Sequence, residues 1–87
     1  MYCILVYDVS EKRVAKMLKL CRRYLHWIQN SVFEGEISEL GLKKLIFEAR
    51  SIMDEGYDSI IIFTNRNPRW MDKQIVGVER SDLSNIL

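Results

Sequence analysis

The sequence predicts a single α+β domain of ferredoxin-like type, a two-layer sandwich in which an antiparallel sheet carries two helices on one face. The 87 residues are enough for one domain with a small core. Apolar, β-forming runs and two amphipathic stretches follow one another in the order β-α-β-(β)-α-β-β. Because each helix has one apolar side, both are expected to cover the same face of the sheet and to leave the other face open. We interpret that open face as the natural surface for a dimer.

The first element is predicted to be a central strand, because residues 2–9 (YCILVYDV) are nearly all apolar and rich in β-formers. The two-residue alternation of a strand divides these side chains into two faces. One face carries Tyr2, Ile4, Val6 and Asp8, and the other carries Cys3, Leu5, Tyr7 and Val9. If the helices cover the second face, Asp8 points to the open one.

The first helix is predicted to begin after Ser10, which has the right chemistry for an N-cap, with Glu11 near the positive end of the helix dipole. Its apolar stripe is predicted to contain Val14, Met17, Leu18, Cys21 and Leu25. Another side of the same helix carries a basic stripe of Lys12, Lys16, Lys19 and Arg23. Such a stripe suits contact with a nucleic-acid backbone, and an ordinary solvated helix face is the alternative.

Residues 27–37 (WIQNSVFEGEI) alternate again and predict either one bent strand or a hairpin, with Gly35 at a bend or bulge. Ser38 is predicted to cap the second helix, and Gly56 is predicted to end it. The inner face of this helix is expected to contain Leu42, Leu45, Ile46, Ala49, Ile52 and Met53. The pairs Glu39–Lys43 and Lys44–Glu48 have the spacing of helical ion pairs on its outer face.

The last third of the chain predicts two more strands. Residues 57–65 (YDSIIIFTN) read as a buried strand, residues 65–70 (NRNPRW) as a loop, and residues 74–79 (QIVGVE) as a short last strand. Residues 80–87 form a C-terminal tail that ends in two apolar residues, which suggests docking on a partner subunit.

Composition places the protein among reduced, cytoplasmic globular domains. Hydrophobic residues make up 48% of the chain, and the formal net charge is +1. The two cysteines, Cys3 and Cys21, lie inside apolar patterns and are expected to be small core residues. We expect no signal peptide and no membrane span, since residues 2–9 lack a basic leader and the apolar runs are too short.

Asp8 is the residue with the strongest claim to chemistry, although aspartate is also common in ordinary strand-to-helix turns. It ends a central strand just before a helix, where phosphates and metal ions tend to bind. The chain shows no zinc-ligand spacing, no glycine-rich phosphate loop and no visible base for a nucleophile, and its one histidine, His26, reads as a surface residue. Mg²⁺, however, needs only one or two carboxylates, so one Asp per subunit doubled by a two-fold axis would suffice.

Trp27 and Phe33 share strand parity and are expected to line one face together with polar groups. Aromatic side chains in such a place stack on bases or pack at a dimer interface, and the sequence leaves both functions open.

Three stretches together resemble one family, the CRISPR-associated protein two family, a small universal protein of spacer acquisition. They are YDVSEKRVAKMLKLCRRY, QNSVFEGEIS and DSIIIFT, and they span nearly the whole chain in order. SVFEGE after a basic helix is the most specific of the motifs. One position departs from the family pattern, because Trp27 stands where the family often has an arginine before its second strand.

The resemblance implies a ferredoxin-like homodimer with an endonuclease site in the dimer cleft. It implies that Asp8 is the catalytic residue and the ligand of Mg²⁺ or another divalent cation. It places Tyr7, Trp27 and Phe33 at the dimer cleft, and it adds Arg13 to the basic stripe as a nucleic-acid-binding residue.

Two functions are consistent with the resemblance. The first is a metal-dependent endonuclease that cleaves the phosphodiester bonds of RNA or double-stranded DNA during CRISPR adaptation. The second is a non-catalytic dimeric scaffold that bridges the CRISPR integrase subunits and holds prespacer DNA.

Overall fold

A computed structural model describes residues 1–67 and 70–79, with Asn67 and Trp70 described by their backbone alone. The elements in chain order are β1 (Tyr2–Asp8), α1 (Glu11–Tyr24), β2 (His26–Gln29), β3 (Val32–Glu36), α2 (Glu39–Ile52), β4 (Ser59–Asn67) and β5 (Trp70–Gly77). The strands form one antiparallel sheet in the order β2-β3-β1-β4-β5. The predicted α+β sandwich is therefore confirmed, and the predicted docking tail, residues 80–87, lies outside the described residues.

β1 is the central strand, paired with β3 on one side and β4 on the other. Its side chains alternate as predicted, because Cys3, Leu5 and Tyr7 are buried beneath the helices while Asp8 is exposed. The pleat of a strand sends successive side chains to opposite faces, so the burial of one set leaves the other set on the open face. The prediction that Asp8 belongs to the open face is confirmed.

The core lies between the sheet and the two helices. Both cysteines are free, fully buried members of this core, as predicted. Burial raises the pKa of the Cys3 thiol to about 11 and that of the Cys21 thiol to about 12, because a thiolate is poorly solvated in an apolar interior. Both thiols therefore stay protonated at neutral pH.

α1 begins after Ser10 as predicted, but its capping and part of its buried side differ from the prediction. Ser10 occupies the N-cap position, but its side chain makes no capping hydrogen bond. The residues of α1 buried in the core are Met17, Leu20 and Cys21, whereas Val14 is 38% exposed. The helix is therefore rotated about its axis relative to the predicted stripe, since its packing partners set which side faces the sheet.

Residues 26–36 form a hairpin rather than one bent strand. The irregularity in its pairing lies between Trp27 and Gln29 of β2, not at Gly35, which pairs in regular register with Cys3 of β1. The turn between the strands contains Asn30, whose φ of +47° is in the left-handed region that asparagine tolerates.

α2 begins as predicted, because the Ser38 hydroxyl accepts a hydrogen bond of 2.9 Å from the amide of Gly41. Its inner face also agrees with the prediction. The helix ends at Ile52, before Gly56, so the predicted C-terminal position is wrong by one turn. The predicted ion pairs within the helix are replaced by pairs with other elements: Glu39 pairs with Arg66, and Glu48 pairs with Arg23.

The last two strands are longer than predicted. β4 continues to Asn67 and β5 already begins at Trp70, so much of the predicted loop of residues 65–70 is paired strand. Hydrogen bonding between the two strands outweighs the low β propensity of this polar segment. No helix within the described residues is long and apolar enough to cross a membrane.

The open face of the sheet carries a contiguous apolar patch. In register, Val6 of β1 lies opposite Val32 and Ile61, Ile61 lies opposite Ile75, and Ile4 lies opposite Phe63. All six side chains are only half-buried in the single chain. We call these six residues the open-face patch.

Candidate functional site

Asp8 lies in an open surface depression at the end of β1. Residues from three places line it: Tyr7, Asp8 and Val9 at the end of the strand, Val14 in α1, and Asn30 and Ser31 in the β2–β3 turn. The amide of Tyr7 donates a hydrogen bond of 3.1 Å to the carbonyl of Ser31, which fixes the turn against the strand. An exposed carboxylate thus stands beside an amide and a hydroxyl side chain.

The segment that follows Asp8 is held by Asp58, the residue directly before β4. The amide of Ser10 donates to Oδ1 of Asp58 at 2.8 Å, so a carboxylate 48 residues away satisfies the amide of the N-cap residue of α1. The first amides of a helix lack partners within the helix, and a carboxylate also suits the positive end of its dipole.

Asp58 and Arg13 form a buried, two-pronged ion pair. Nε of Arg13 donates to Oδ2 of Asp58 at 2.5 Å, and Nη2 donates to Oδ1 at 3.0 Å. The side chain of Asp58 is inaccessible to solvent and that of Arg13 is 17% exposed. The Arg13 guanidinium lowers the pKa of Asp58 to about 2, which keeps the carboxylate charged at neutral pH.

Asp58 was not predicted as a site residue, because residues 57–65 predict only a buried strand. The one available signal was an acidic residue at the start of a strongly apolar run, because a buried carboxylate needs a partner. Nothing in the sequence identified Arg13 as that partner. The structure therefore places Arg13 apart from the basic stripe, with its guanidinium turned to Asp58.

The four residues of the basic stripe all lie on the exposed side of α1. Within residues 1–67 and 70–79, the lysines Lys12, Lys16 and Lys19 form no ion pair. Arg23 differs, because its Nη2 donates to Oε1 of Glu48 at 2.9 Å. Three cations of the stripe thus project toward solvent, and the fourth is partly neutralised by α2.

Trp27 lies on the edge strand β2 and is 52% exposed. Its indole Nε1 donates to the carbonyl of Asn30 at 2.9 Å, and the guanidinium carbon of Arg22 stands 6.0 Å from its ring centre. Trp27 therefore fixes the turn that borders the Asp8 depression and brings Arg22 to the same edge of the molecule. His26, also on β2, is exposed as the sequence suggested.

The side chains of Tyr7 and Phe33, which the family resemblance implies for the dimer cleft, are buried in the single chain, and their place in a dimer stays a prediction. Tyr7 is 4% exposed and Phe33 is fully buried, and their rings stack with centroids 5.9 Å apart. Both residues belong to the helix-covered face, because strand alternation places them beside Leu5 rather than beside Asp8. The two rings support the depression from within the core.

The donor atoms around Asp8 fit a hard cation such as Mg²⁺. Mg²⁺ prefers oxygen ligands and keeps several waters, so a carboxylate with nearby amide and hydroxyl oxygens suits it. In the part of the chain that the structure describes, no group of three or more His, Cys, Asp or Glu side chains converges on one point. Among the described residues that line the depression, Asp8 supplies the one carboxylate.

Comparison with known proteins gives a consistent result. Residues 1–73 match the family described as "CRISPR associated protein Cas2". The "CRISPR-associated endoribonuclease Cas2" of Dictyoglomus turgidum is 44% identical over the full length of both chains, and that of Thermotoga maritima is 45% identical over 94% of each. A solved structure described as "Crystal structure of cas2" is 40% identical and superposes with a TM-score of 0.73, covering 100% of this chain and 98% of that one. The Cas2 structure from Streptococcus pyogenes at pH 6.5 is 30% identical, with a TM-score of 0.70, and covers 80% of this chain and 90% of that one.

Proposed function

The chain belongs to the Cas2 family of CRISPR-associated proteins, and on that premise we propose that it is a metal-dependent endoribonuclease whose site contains Asp8 from two copies of the chain. The observation that carries this proposal is the exposed Asp8 carboxylate in a depression at the end of the central strand that Asn30 and Ser31 also line. The names of the relatives supply the substrate class, RNA, and double-stranded DNA is the second substrate to be tested.

Each part of the site has a separate task. Asp8 would hold the cation and, through it, orient the scissile phosphate, and Asn30 and Ser31 would offer polar contacts at the rim of the depression. A bound Mg²⁺ supplies Lewis-acid polarisation of the phosphate and offsets the charge that develops in the transition state. The basic stripe on α1 binds the nucleic-acid backbone away from the Asp8 depression and gives no sequence preference.

The proposed dimer is formed through the open-face patch. Burying half-exposed aliphatic side chains against a second copy contributes roughly 25 cal/mol per Å² of apolar surface removed from water. Since Asp8 shares strand parity with Val6 of this patch and ends β1, a two-fold axis that lies in the dimer interface parallel to β1 would place both Asp8 carboxylates at the same end of the assembly.

The experiment that tests the proposal compares the wild type with Asp8→Asn on end-labelled single-stranded RNA and on duplex DNA. With Mg²⁺ present we expect cleavage by the wild type, no cleavage with EDTA, and a rate at least about 10³-fold lower for Asp8→Asn, since the amide is a much poorer ligand. Asp72→Asn, which makes the same change at an exposed carboxylate of β5, is expected to cleave normally. Equal cleavage by Asp8→Asn and the wild type would exclude Asp8 as the catalytic residue.

The basic stripe makes a separate prediction about binding. Replacing Lys16 and Lys19 by Glu is expected to weaken RNA binding and to lower the slope of log K against log salt by about 2, because two phosphate contacts are lost. The measurement is a fluorescence anisotropy titration at several salt concentrations. The double variant Lys43→Glu/Lys44→Glu on α2 is the control, because it changes the net charge by the same amount. An unchanged slope for the α1 variant would show that the basic stripe is an ordinary solvated surface that does not contact RNA.

A second function has support from the arrangement of the cations. Arg13 is bound to Asp58, Trp27 occupies the position of the family's arginine, and none of the described residues that line the depression is a cation. This favours a dimeric scaffold that bridges CRISPR integrase subunits and holds prespacer DNA without cutting it. Under that function, Asp8→Asn is expected to keep spacer integration in cells, and its loss in a folded variant would argue against the scaffold.

A further inference from the structure

Asp58 has a buried carboxylate that accepts four hydrogen bonds. Its Oδ1 accepts from the amide of Ser10 and from Nη2 of Arg13, and its Oδ2 accepts from Nε of Arg13 and from the amide of Asp54, the last at 2.9 Å. Its backbone carbonyl also accepts from the amide of Val78 at 2.9 Å. One residue thus connects the β1–α1 junction, α1, the end of α2 and the end of β5.

The Asp8 segment is attached to two consecutive residues, Asp58 directly before β4 and Ser59 at its start. Asp8 pairs with Ser59 at the end of the β1–β4 ladder, and Ser10 is bonded to the neighbouring Asp58. Between these two attachments lies only Val9. The position of the Asp8 carboxylate is therefore set by β4 as well as by β1.

We propose that Asp58 is the positioning residue for Asp8, and that it acts by holding the Ser10 amide while Arg13 holds Asp58. This rests on the proposed function for its catalytic consequence. Asp58 holds the backbone of residues 8–10 through these hydrogen bonds whether or not the chain cleaves RNA.

A carboxylate is required at position 58 because both of its oxygens receive donors. An asparagine has one oxygen and one NH₂ group. In either orientation its NH₂ would face two N–H groups, so two favourable contacts would become donor–donor contacts. Asp58→Asn, which conserves shape, is therefore expected to release the Ser10 segment.

The experiment uses two pairs of variants of the full chain. Asp58→Asn changes the acceptor, with Asp72→Asn as its control. Ser10→Pro replaces the amide hydrogen by a ring carbon, so the residue can neither donate to Asp58 nor approach it as closely, and the Ser10 φ of −53° is compatible with proline. Ser10→Ala is its matched control, because it removes only the hydroxyl, which makes no capping bond, and retains the amide.

The first readout is backbone NMR without metal or RNA. In Asp58→Asn we expect the Ser10 amide to exchange at least about tenfold faster with solvent than in wild type. In Asp58→Asn the amide resonances of Asp8, Val9 and Ser10 should shift. In Ser10→Pro, which has no amide at position 10, the resonances of Asp8 and Val9 should shift. In Ser10→Ala and Asp72→Asn the Asp8 and Val9 amide resonances should match the wild type. Unchanged Asp8 and Val9 resonances in both Asp58→Asn and Ser10→Pro would overturn the proposal.

The second readout separates positioning from general stability. We expect Asp58→Asn and Ser10→Pro to lower kcat for RNA cleavage by about 10- to 100-fold with KM within about twofold, since a misplaced catalytic group affects the transition state. Leu42→Ala, a destabilising change in the core under α2, is the comparison, and an equal fall in kcat at equal loss of stability would contradict positioning. If the wild type cleaves no RNA, the proposed function fails by its own test, and the NMR readout alone decides the role of Asp58.

Discussion

Mixing one part of wild-type chains with three parts of Asp8→Asn chains is expected to lower the RNA cleavage rate to about one sixteenth of that of the same total amount of wild type. The reason is that the proposed site takes one carboxylate from each of two copies. After random exchange of subunits, only dimers with two wild-type chains have a complete site, and their fraction is the square of the wild-type fraction.

The alternative outcomes are distinguishable by their dependence on composition. If each chain carried a complete site, the rate would fall only to about one quarter, in proportion to the wild-type fraction. The chains are co-refolded or incubated until differently tagged copies exchange, and the initial rate is measured with RNA in excess so that binding by the variant does not deplete the substrate. Dilution with Asp72→Asn controls for mixing itself and is expected to leave the rate unchanged. A linear dependence would show that the two Asp8 residues act separately.

Gly77→Ala is expected to be the most destabilising small substitution in the described part of the sheet. Gly77 has a φ of +93°, which is unfavourable for any residue with a Cβ. A Cβ there would stand 2.2 Å from the carbonyl oxygen of Asp58 and 2.8 Å from Cε of Met53. The carbonyl is backbone and is held by its hydrogen bond with Val78, so it cannot move aside cheaply.

We expect Gly77→Ala to cost about 3 kcal/mol or more, a large part of the free energy of unfolding of a domain this small. The measurement is urea denaturation followed by circular dichroism. Gly56→Ala is the matched control, because a Cβ at that position meets only Oδ1 of Asp54 at an ordinary 3.4 Å. That control is expected to be neutral or slightly stabilising. Equal midpoints for the two variants would contradict the close approach at Gly77.

Acid is expected to weaken the hydrogen bonds of Asp58 only at strongly acidic pH. The pKa of Asp58 is lowered from 3.8 to about 2 in the folded protein, mainly by its hydrogen bonds from Arg13. A lowered folded-state pKa stabilises the protein above pH 3.8, and that contribution disappears as the pH falls toward 2. The connection at the β1–α1 junction is thus intact throughout the neutral range.

The sequence by itself determined the layered fold and the face to which Asp8 belongs. Strand alternation and helical periodicity are local properties, and they settle which side of each element is apolar before any tertiary contact forms. This is why the burial of Cys3, Leu5 and Tyr7, the cap at Ser38 and the inner face of α2 were predicted correctly. The same alternation already placed Tyr7 on the covered face.

The tertiary structure alone decided what holds the site in place. Arg13 and Asp58 are 45 residues apart, and neither periodicity nor capping rules can pair two charged residues across such a separation. The rotation of α1, which brings Val14 to the Asp8 depression, and the close approach of Gly77 to Asp58 likewise depend on how separate elements pack. Local patterns fix the direction in which a side chain points, whereas its partners depend on which distant segments the packed core brings together.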